Sequence, residues 1–106
     1  MRQPDGRSAA PVEKPVSLEV RVTGRVQGVG FRYFTSEVAQ GLGLVGYVMN
    51  LRDGGVRAYA EGRREALERF LSALRQGPAG ALVREVRPVW GTATGQYPTF
   101  AIQPTR

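Results

Sequence analysis

The segment TGRVQGVGFR, residues 23–32, joins a strand-like run to a helix-like run, and the rest of the chain is arranged around it. Before it, residues 16–22 alternate apolar and polar side chains, which predicts a half-buried strand. After it, apolar residues recur at helical spacing between residues 32 and 42. The segment carries three glycines, Gly24, Gly28 and Gly30, and glycine allows several backbone N–H groups to turn toward one point.

This arrangement of strand, glycine-rich turn and helix start is typical of an anion site, because unpaired N–H groups and the positive end of the helix dipole face the same spot. Arg32 lies in the first helical turn, where the dipole disfavours a cation. A bound phosphate would compensate, and an arginine can fork onto two phosphate oxygens. The alternative is a tight turn with a surface arginine. The patterns GxxxxGK[ST] and GxGxxG are both absent here.

Further elements follow from periodicity and turn residues. Residues 44–51 predict a second strand, and residues 56–61 predict the strand that returns beside it. Between them, RDGG at residues 52–55 predicts a hairpin turn. A second helix shows one apolar face and a Glu65–Arg69 pair, and it ends at Gly77-Pro78. Residues 82–90 predict an edge strand with a bulge, since Pro88 interrupts the alternation, and residues 99–103 a short fifth strand.

The element order β-α-β-β-α-β predicts an α+β ferredoxin-like sandwich, with an antiparallel sheet covered on one face by two helices. A right-handed crossover brings the ends of strands one and two to the same sheet edge. Asn50 lies near the end of strand two, so we expect it beside the glycine loop. Asparagine is disfavoured within strands, which makes Asn50 a functional candidate. The alternative is a polar residue beside a hairpin turn.

Composition limits the chemistry. The 106 residues suit one domain, and residues 1–15, with three prolines, predict a disordered tail. Cysteine and histidine are absent, which argues against zinc, disulfides and a His- or Cys-based nucleophile or base. No run of 18 apolar residues exists, so we expect a cytoplasmic protein that makes no membrane contact.

The net charge of +6 fits either a nucleic acid or a small anionic ligand, and all basic residues except Lys14 are arginine. A solvated surface explains most of them. Four are candidates to converge on a small polyanion: Arg25, Arg32, Arg52 and Arg57.

Two long motifs resemble those of the acylphosphatase family. Residues 22–32, VTGRVQGVGFR, are similar to its first signature, and residues 46–56, GYVMNLRDGGV, followed by Gly62, to its second. The resemblance covers residues 16–103, so residues 16–106 are identified as an acylphosphatase-like domain. It implies hydrolysis of acyl phosphates to a carboxylate and inorganic phosphate, without metal or cofactor, by a monomer.

The resemblance also implies roles for residues. Arg32 and Asn50 would be catalytic: Arg32 grips the phosphoryl oxygens and the Asn50 side chain orients the attacking water. The loop that binds the phosphoryl group would comprise Arg25, Val26, Gln27, Gly28, Val29, Gly30 and Phe31.

The chemistry is consistent with this composition. A carboxylate leaving group, whose acid has a pKa of about 4, departs without a general acid. Phosphoryl transfer depends mostly on positioning and electrostatics, which backbone N–H groups and one guanidinium can supply. Gln27 would brace the loop through backbone hydrogen bonds or face solvent. We expect Tyr33, Phe34 and Trp90 to be packing residues.

Two other functions stay open at this point. A nucleic-acid-binding module would stack bases on aromatic residues of strands one and three, but their predicted outward faces offer only Tyr59. No nucleic-acid partner is therefore expected. A module that senses a phosphorylated metabolite would bind phosphate without turnover.

Overall fold

The computed structural model describes residues 14–106. The predicted order of elements is confirmed. The elements are β1 (Val16–Arg25), α1 (Phe31–Gly41), β2 (Val45–Asn50), β3 (Val56–Gly62), α2 (Arg64–Gln76), β4 (Leu82–Thr92) and β5 (Phe100–Ile102). The predicted disordered tail, residues 1–15, lies outside the described residues except for its last two.

The strands form one five-stranded sheet in the order β4-β1-β3-β2-β5. β1 is antiparallel to β3 and β4, and β2 is antiparallel to β3. β5 pairs parallel to β2, so the sheet is mixed and the predicted antiparallel pairing holds for the four longer strands. The reason is the chain path. β4 ends at the same end of the sheet at which β2 begins. The connecting residues 93–99 cross the sheet there, so the chain enters β5 in the direction of β2.

β1 is longer than the alternation predicted and continues through Gly24 to Arg25. Its register against β4 shifts between Thr23, which pairs with Glu85, and Gly24, which pairs with Val83. Arg84 is thus the extra residue, and the bulge predicted in this edge strand is confirmed. Gly24 has φ +127°, and a Cβ there would lie 2.1 Å from the Leu82 carbonyl oxygen. Only glycine permits this close approach of β4. β4 is an edge strand, as predicted.

Both helices pack on one face of the sheet. The predicted apolar face of α2 is confirmed, since Leu67, Phe70 and Leu74 are fully buried, and the Phe70 ring meets the Phe100 ring of β5 edge to face. Phe31, the first residue of α1, is also buried in this core. The core therefore fixes the helical end of the glycine loop.

The other face of the sheet is partly covered by residues 93–99, the connection between β4 and β5. Tyr97 of this connection packs against Tyr47 and Tyr59. Thr94 and Gly95 donate hydrogen bonds to the buried carboxylate of Glu61. These contacts hold the chain as it passes from one edge strand to the other.

Candidate active site

A pocket of ≈ 220 Å³ lies where the end of β2, the end of β5 and the start of α1 meet. The glycine loop and Asn50 share this pocket, so the predicted meeting of the two at one sheet edge is confirmed. The lining residues are Val26, Gly28, Gly30, Phe31, Arg32, Tyr33, Asn50 and Ile102.

The loop presents backbone N–H groups that have no backbone partner. Gly28 and Gly30 have φ +76° and +78°, a left-handed conformation that L residues rarely adopt. Within residues 14–106, no N–H group of residues 26–30 donates to a backbone carbonyl. Gly30 is the N-cap of α1 and provides no side-chain cap for the first helical turn. The loop and helix start therefore keep several donors free for an anion.

Arg32 lies in the first turn of α1, which contains no acidic residue. Among the described residues it forms no ion pair. Its guanidinium thus adds positive charge at the positive end of the helix dipole, beside the free N–H groups. The guanidinium, the helix dipole and the free N–H groups would all stabilise an anion in the pocket.

Asn50 is the last residue of β2. Its cross-strand partner is the fully buried Val56, so the Asn50 side chain projects toward the helical layer. The Asn50 Oδ1 atom is buried and has no hydrogen-bond partner within residues 14–106. Leaving a buried acceptor unsatisfied costs about 1–3 kcal/mol. The side chain that carries this unsatisfied acceptor also lines the pocket.

Gln27 stabilises the loop from outside the pocket. Its Nε2 atom donates to the carbonyl oxygens of Leu51, at 2.7 Å, and Gly55, at 2.8 Å. The predicted bracing role is confirmed, and the partners belong to the β2–β3 hairpin. The bond to Leu51 fixes the loop against the residue that follows Asn50.

Several predicted loop residues do not line the pocket. Arg25 is the exposed last residue of β1, paired with Leu82 of β4. The half-buried Gln27 and Val29 also lie outside the lining.

Of the four arginines that were candidates to converge on a polyanion, only Arg32 lines the pocket, which fits the solvated surface expected for most of the arginines. Arg57 alternates with the core residues Val56 and Ala58, and therefore projects from the opposite sheet face. There its Nε atom lies 3.5 Å from Glu19. Arg52 is exposed in the hairpin turn.

Two residues of the pocket were not predicted. Tyr33, expected to be a packing residue, is 64% exposed, and Ile102 is 44% exposed. The signal for Tyr33 was its position off the helical face of Phe31 and Phe34. Phe34 and Trp90 are partly buried against the core, as expected.

Within residues 14–106, no group of three or more carboxylates lies close enough together to hold a metal ion. The two helices of this part of the chain are too short or too polar to cross a bilayer. The groups around the pocket that can donate hydrogen bonds are backbone N–H groups, the Arg32 guanidinium, the Asn50 amide and the Tyr33 hydroxyl.

The element order, with two helices on one face of the sheet and a glycine loop between the first strand and the first helix, places the protein in the class of ferredoxin-like α+β proteins. The family model for acylphosphatase matches residues 18–102. The chain belongs to the acylphosphatase family.

Individual relatives agree with this assignment. An acylphosphatase from Thermotoga maritima is 51% identical over 87 residues, which cover 82% of this chain and 96% of the relative. One from Archaeoglobus fulgidus is 56% identical over 71 residues, which cover 67% of this chain and 80% of the relative. The crystal structure of acylphosphatase from Bacillus subtilis superposes with a TM-score of 0.80 at 35% identity, over 83% of this chain and 98% of that one.

Proposed function

We propose that this protein hydrolyses carboxyl-phosphate anhydrides to a carboxylate and inorganic phosphate, with Arg32 and Asn50 as its catalytic residues. The observation that carries the proposal is the buried, unpartnered Oδ1 atom of Asn50 in the same pocket as the free N–H groups of the loop. The N–H groups suit the phosphoryl oxygens, and the Oδ1 atom suits a water proton.

The phosphoryl group binds in the loop. The N–H groups of residues 26–30 and of the first turn of α1 donate to its oxygens, and the Arg32 guanidinium forks onto two of them. In phosphoryl transfer, negative charge in the transition state is spread over the equatorial oxygens. Fixed donors around these oxygens stabilise that charge without reorganisation, which is the main source of catalysis here.

Asn50 positions the nucleophile. Its Oδ1 atom accepts a hydrogen bond from a water molecule, which holds that water in line with the bond between phosphorus and the carboxylate oxygen. The water oxygen attacks phosphorus, the P–O bond to the acyl group breaks, and the carboxylate leaves. Because the acid of this leaving group has a pKa of about 4, no general acid is required.

The test is hydrolysis of benzoyl phosphate, in excess EDTA, by the wild type, Arg32→Ala and Asn50→Ala. We expect Arg32→Ala to lower kcat/KM by about 100- to 1,000-fold and to weaken binding of inorganic phosphate, because a phosphoryl-binding group is lost. Asn50→Ala should lower kcat by about 100-fold or more through a misplaced water, and should leave phosphate binding intact.

Matched controls are Arg84→Ala and Gln96→Ala, which remove an exposed arginine and an exposed amide outside the pocket. Both should retain wild-type kinetics. Full activity in Arg32→Ala or Asn50→Ala would refute the role of that residue. Phosphate binding by the wild type without any turnover would instead identify a module that senses a phosphorylated metabolite.

We further propose that the protein acts as a monomer in the cytoplasm. The residues proposed for catalysis, Arg32 and Asn50, line one pocket together with the loop, which supports a site that one copy of the chain can complete. Sedimentation equilibrium measures the oligomeric state, and cell fractionation measures the location.

A further inference from the structure

Exposed apolar side chains form part of the pocket lining. Four large apolar side chains of the described residues are well exposed: Tyr33 at 64%, Leu82 at 66%, Val89 at 62% and Ile102 at 44%. Tyr33 and Ile102 both line the pocket, whereas Leu82 and Val89 lie on the edge strand β4. Exposing an aromatic and a branched side chain at one opening leaves apolar surface that a ligand can cover.

The positions of the two residues place this apolar surface beside the catalytic groups. Tyr33 follows Arg32 in the first turn of α1. Ile102 ends β5 and pairs with Val48, two residues before Asn50 in β2. Tyr33 and Ile102 therefore flank the pocket from the helix and from the sheet edge, next to the arginine and the asparagine.

The pocket is also larger than a phosphoryl group requires. Its volume is ≈ 220 Å³, whereas a phosphoryl group takes the space of roughly two to three water molecules at about 30 Å³ each. The polar donors are on the loop, Arg32 and Asn50. Tyr33 and Ile102, which carry no charge, line the same pocket.

We propose that Tyr33 and Ile102 form the subsite for the acyl group and that this subsite selects acyl phosphates with apolar, above all aromatic, acyl groups. The inference rests on the proposed function, since it assigns the leaving-group end of the same substrate. An aromatic acyl group removes its own surface and that of both side chains from water, and the Tyr33 ring offers a face for offset stacking. A small acyl group covers little of this surface.

The experiment compares two ligands that differ only in the acyl group. Benzoylphosphonate and acetylphosphonate carry a P–C bond in place of the P–O bond that breaks, so their dissociation constants are measured without turnover. Covering a phenyl ring against both side chains should favour benzoylphosphonate in the wild type by about tenfold. Tyr33→Ala and Ile102→Ala should each reduce this ratio several-fold, and the double variant should bring it within twofold of unity. Tyr33→Phe should retain it, because the ring and not the hydroxyl makes the contact.

Leu82→Ala and Val89→Ala are matched controls, since they remove exposed apolar side chains away from the pocket. Both should keep the wild-type ratio. The ratio of kcat/KM for benzoyl and acetyl phosphate should follow the same order across all variants.

Equal affinity of the wild type for the two phosphonates, or an unchanged ratio in the double variant, would overturn the subsite. Loss of affinity for both ligands alike in Tyr33→Ala would also overturn it, because it would place Tyr33 at the phosphoryl end. A wild-type preference that disappears in the double variant supports the subsite even if no acyl phosphate is hydrolysed. That combination would refute the proposed hydrolysis alone.

Discussion

Gly28 contributes to the site through backbone conformation. Its φ is +76°, and a Cβ at this position would meet no atom within 4 Å. Substitution by alanine is therefore opposed by the left-handed conformation and not by a clash. Relief of that strain would rotate neighbouring peptide planes and turn their N–H groups away from the pocket.

We predict that Gly28→Ala weakens phosphate binding at least tenfold and lowers the free energy of unfolding by about 1–2 kcal/mol. Isothermal titration with inorganic phosphate and urea unfolding measure the two effects. The matched control is Gly43→Ala, whose φ of +71° and open surroundings are similar but which follows α1, outside the pocket. It should lose similar stability and keep the wild-type affinity for phosphate. If both variants bound phosphate with equal affinity, the conformation of Gly28 would not be what orients the N–H donors of the loop.

The connection between β4 and β5 depends on one buried carboxylate. Glu61, in β3, is 4% exposed and accepts hydrogen bonds from the Tyr59 hydroxyl, the Thr94 hydroxyl and the backbone N–H groups of Thr94 and Gly95. Burial raises the pKa of the Glu61 carboxyl, but these hydrogen bonds outweigh burial, and the net pKa is below its usual value. Because this connection leads into β5, the anchor also positions Ile102.

We predict that Glu61→Gln lowers the free energy of unfolding at pH 7 by about 2 kcal/mol, since hydrogen bonds to a charged acceptor are worth about 1.5–3 kcal/mol. A carboxylate with a depressed pKa stabilises the fold above its unfolded pKa, near 4.3, and that contribution disappears as the pH falls through the folded pKa. The difference between wild type and variant should therefore be full at pH 7 and shrink below about pH 4.3.

Urea unfolding across this pH range measures the difference. The control Glu85→Gln removes a half-exposed carboxylate that pairs with Arg87 and should cost less than about 0.5 kcal/mol at any pH. A constant difference between wild type and Glu61→Gln down to pH 3 would rule out the charge of Glu61 as the cause.

On the alkaline side, burial and the hydrogen bond to Glu61 raise the pKa of Tyr59 to about 12. The contribution of the protonated Tyr59 hydroxyl to the free energy of unfolding is complete below pH 10 and is lost as the pH rises toward 12.

At the scale of the whole molecule, the net charge of +6 overstates the attraction of the open sheet face for anions. Arg21 lies opposite both Arg57 and Arg87 in the register of β1 with β3 and β4. The three arginines pair with acids: Arg21 with Asp53 at 3.9 Å, Arg57 with Glu19 at 3.5 Å and Arg87 with Glu85 at 3.0 Å. Positive charge on this face is thus largely balanced.

The tyrosines of the same face are also engaged with one another. The structure adds Tyr47 and Tyr97 to the single tyrosine predicted there, but the Tyr47 and Tyr59 rings stack with centroids 5.5 Å apart. Tyr97 packs against both rings. Bases would have to displace these contacts in order to stack.

We therefore predict that any RNA affinity stays at the weak end of the non-specific range, with a Kd no tighter than about 10⁻⁴ M at physiological salt. Fluorescence anisotropy with a labelled single-stranded RNA measures it. The double variant Glu19→Gln, Glu85→Gln frees two arginines and should bind more tightly, with a stronger salt dependence, which shows that the assay detects this face. Micromolar binding by the wild type that is lost in Tyr47→Ala would support a nucleic-acid-binding function.

Local patterns in the sequence determined most of the fold. The structure contains the elements that these patterns predicted. The patterns are the alternation in residues 16–22 and 56–61, the hairpin turn, and the apolar face of Leu67, Phe70 and Leu74. Handedness of the crossover then placed Asn50 beside the glycine loop. These features depend on periodicity and chain geometry, which are visible within a few neighbouring residues.

The tertiary structure alone decided the parallel direction of β5, the partners of Gln27, the exposure of Tyr33 and Ile102, and the absence of Arg25 and Arg57 from the pocket lining. Each depends on contacts between segments far apart in the chain: Gln27 with Leu51 and Gly55, or β5 with β2. Such contacts are selected by the packing of the whole core. The sequence by itself therefore determined the elements and the location of the site, and packing decided which side chains reach it.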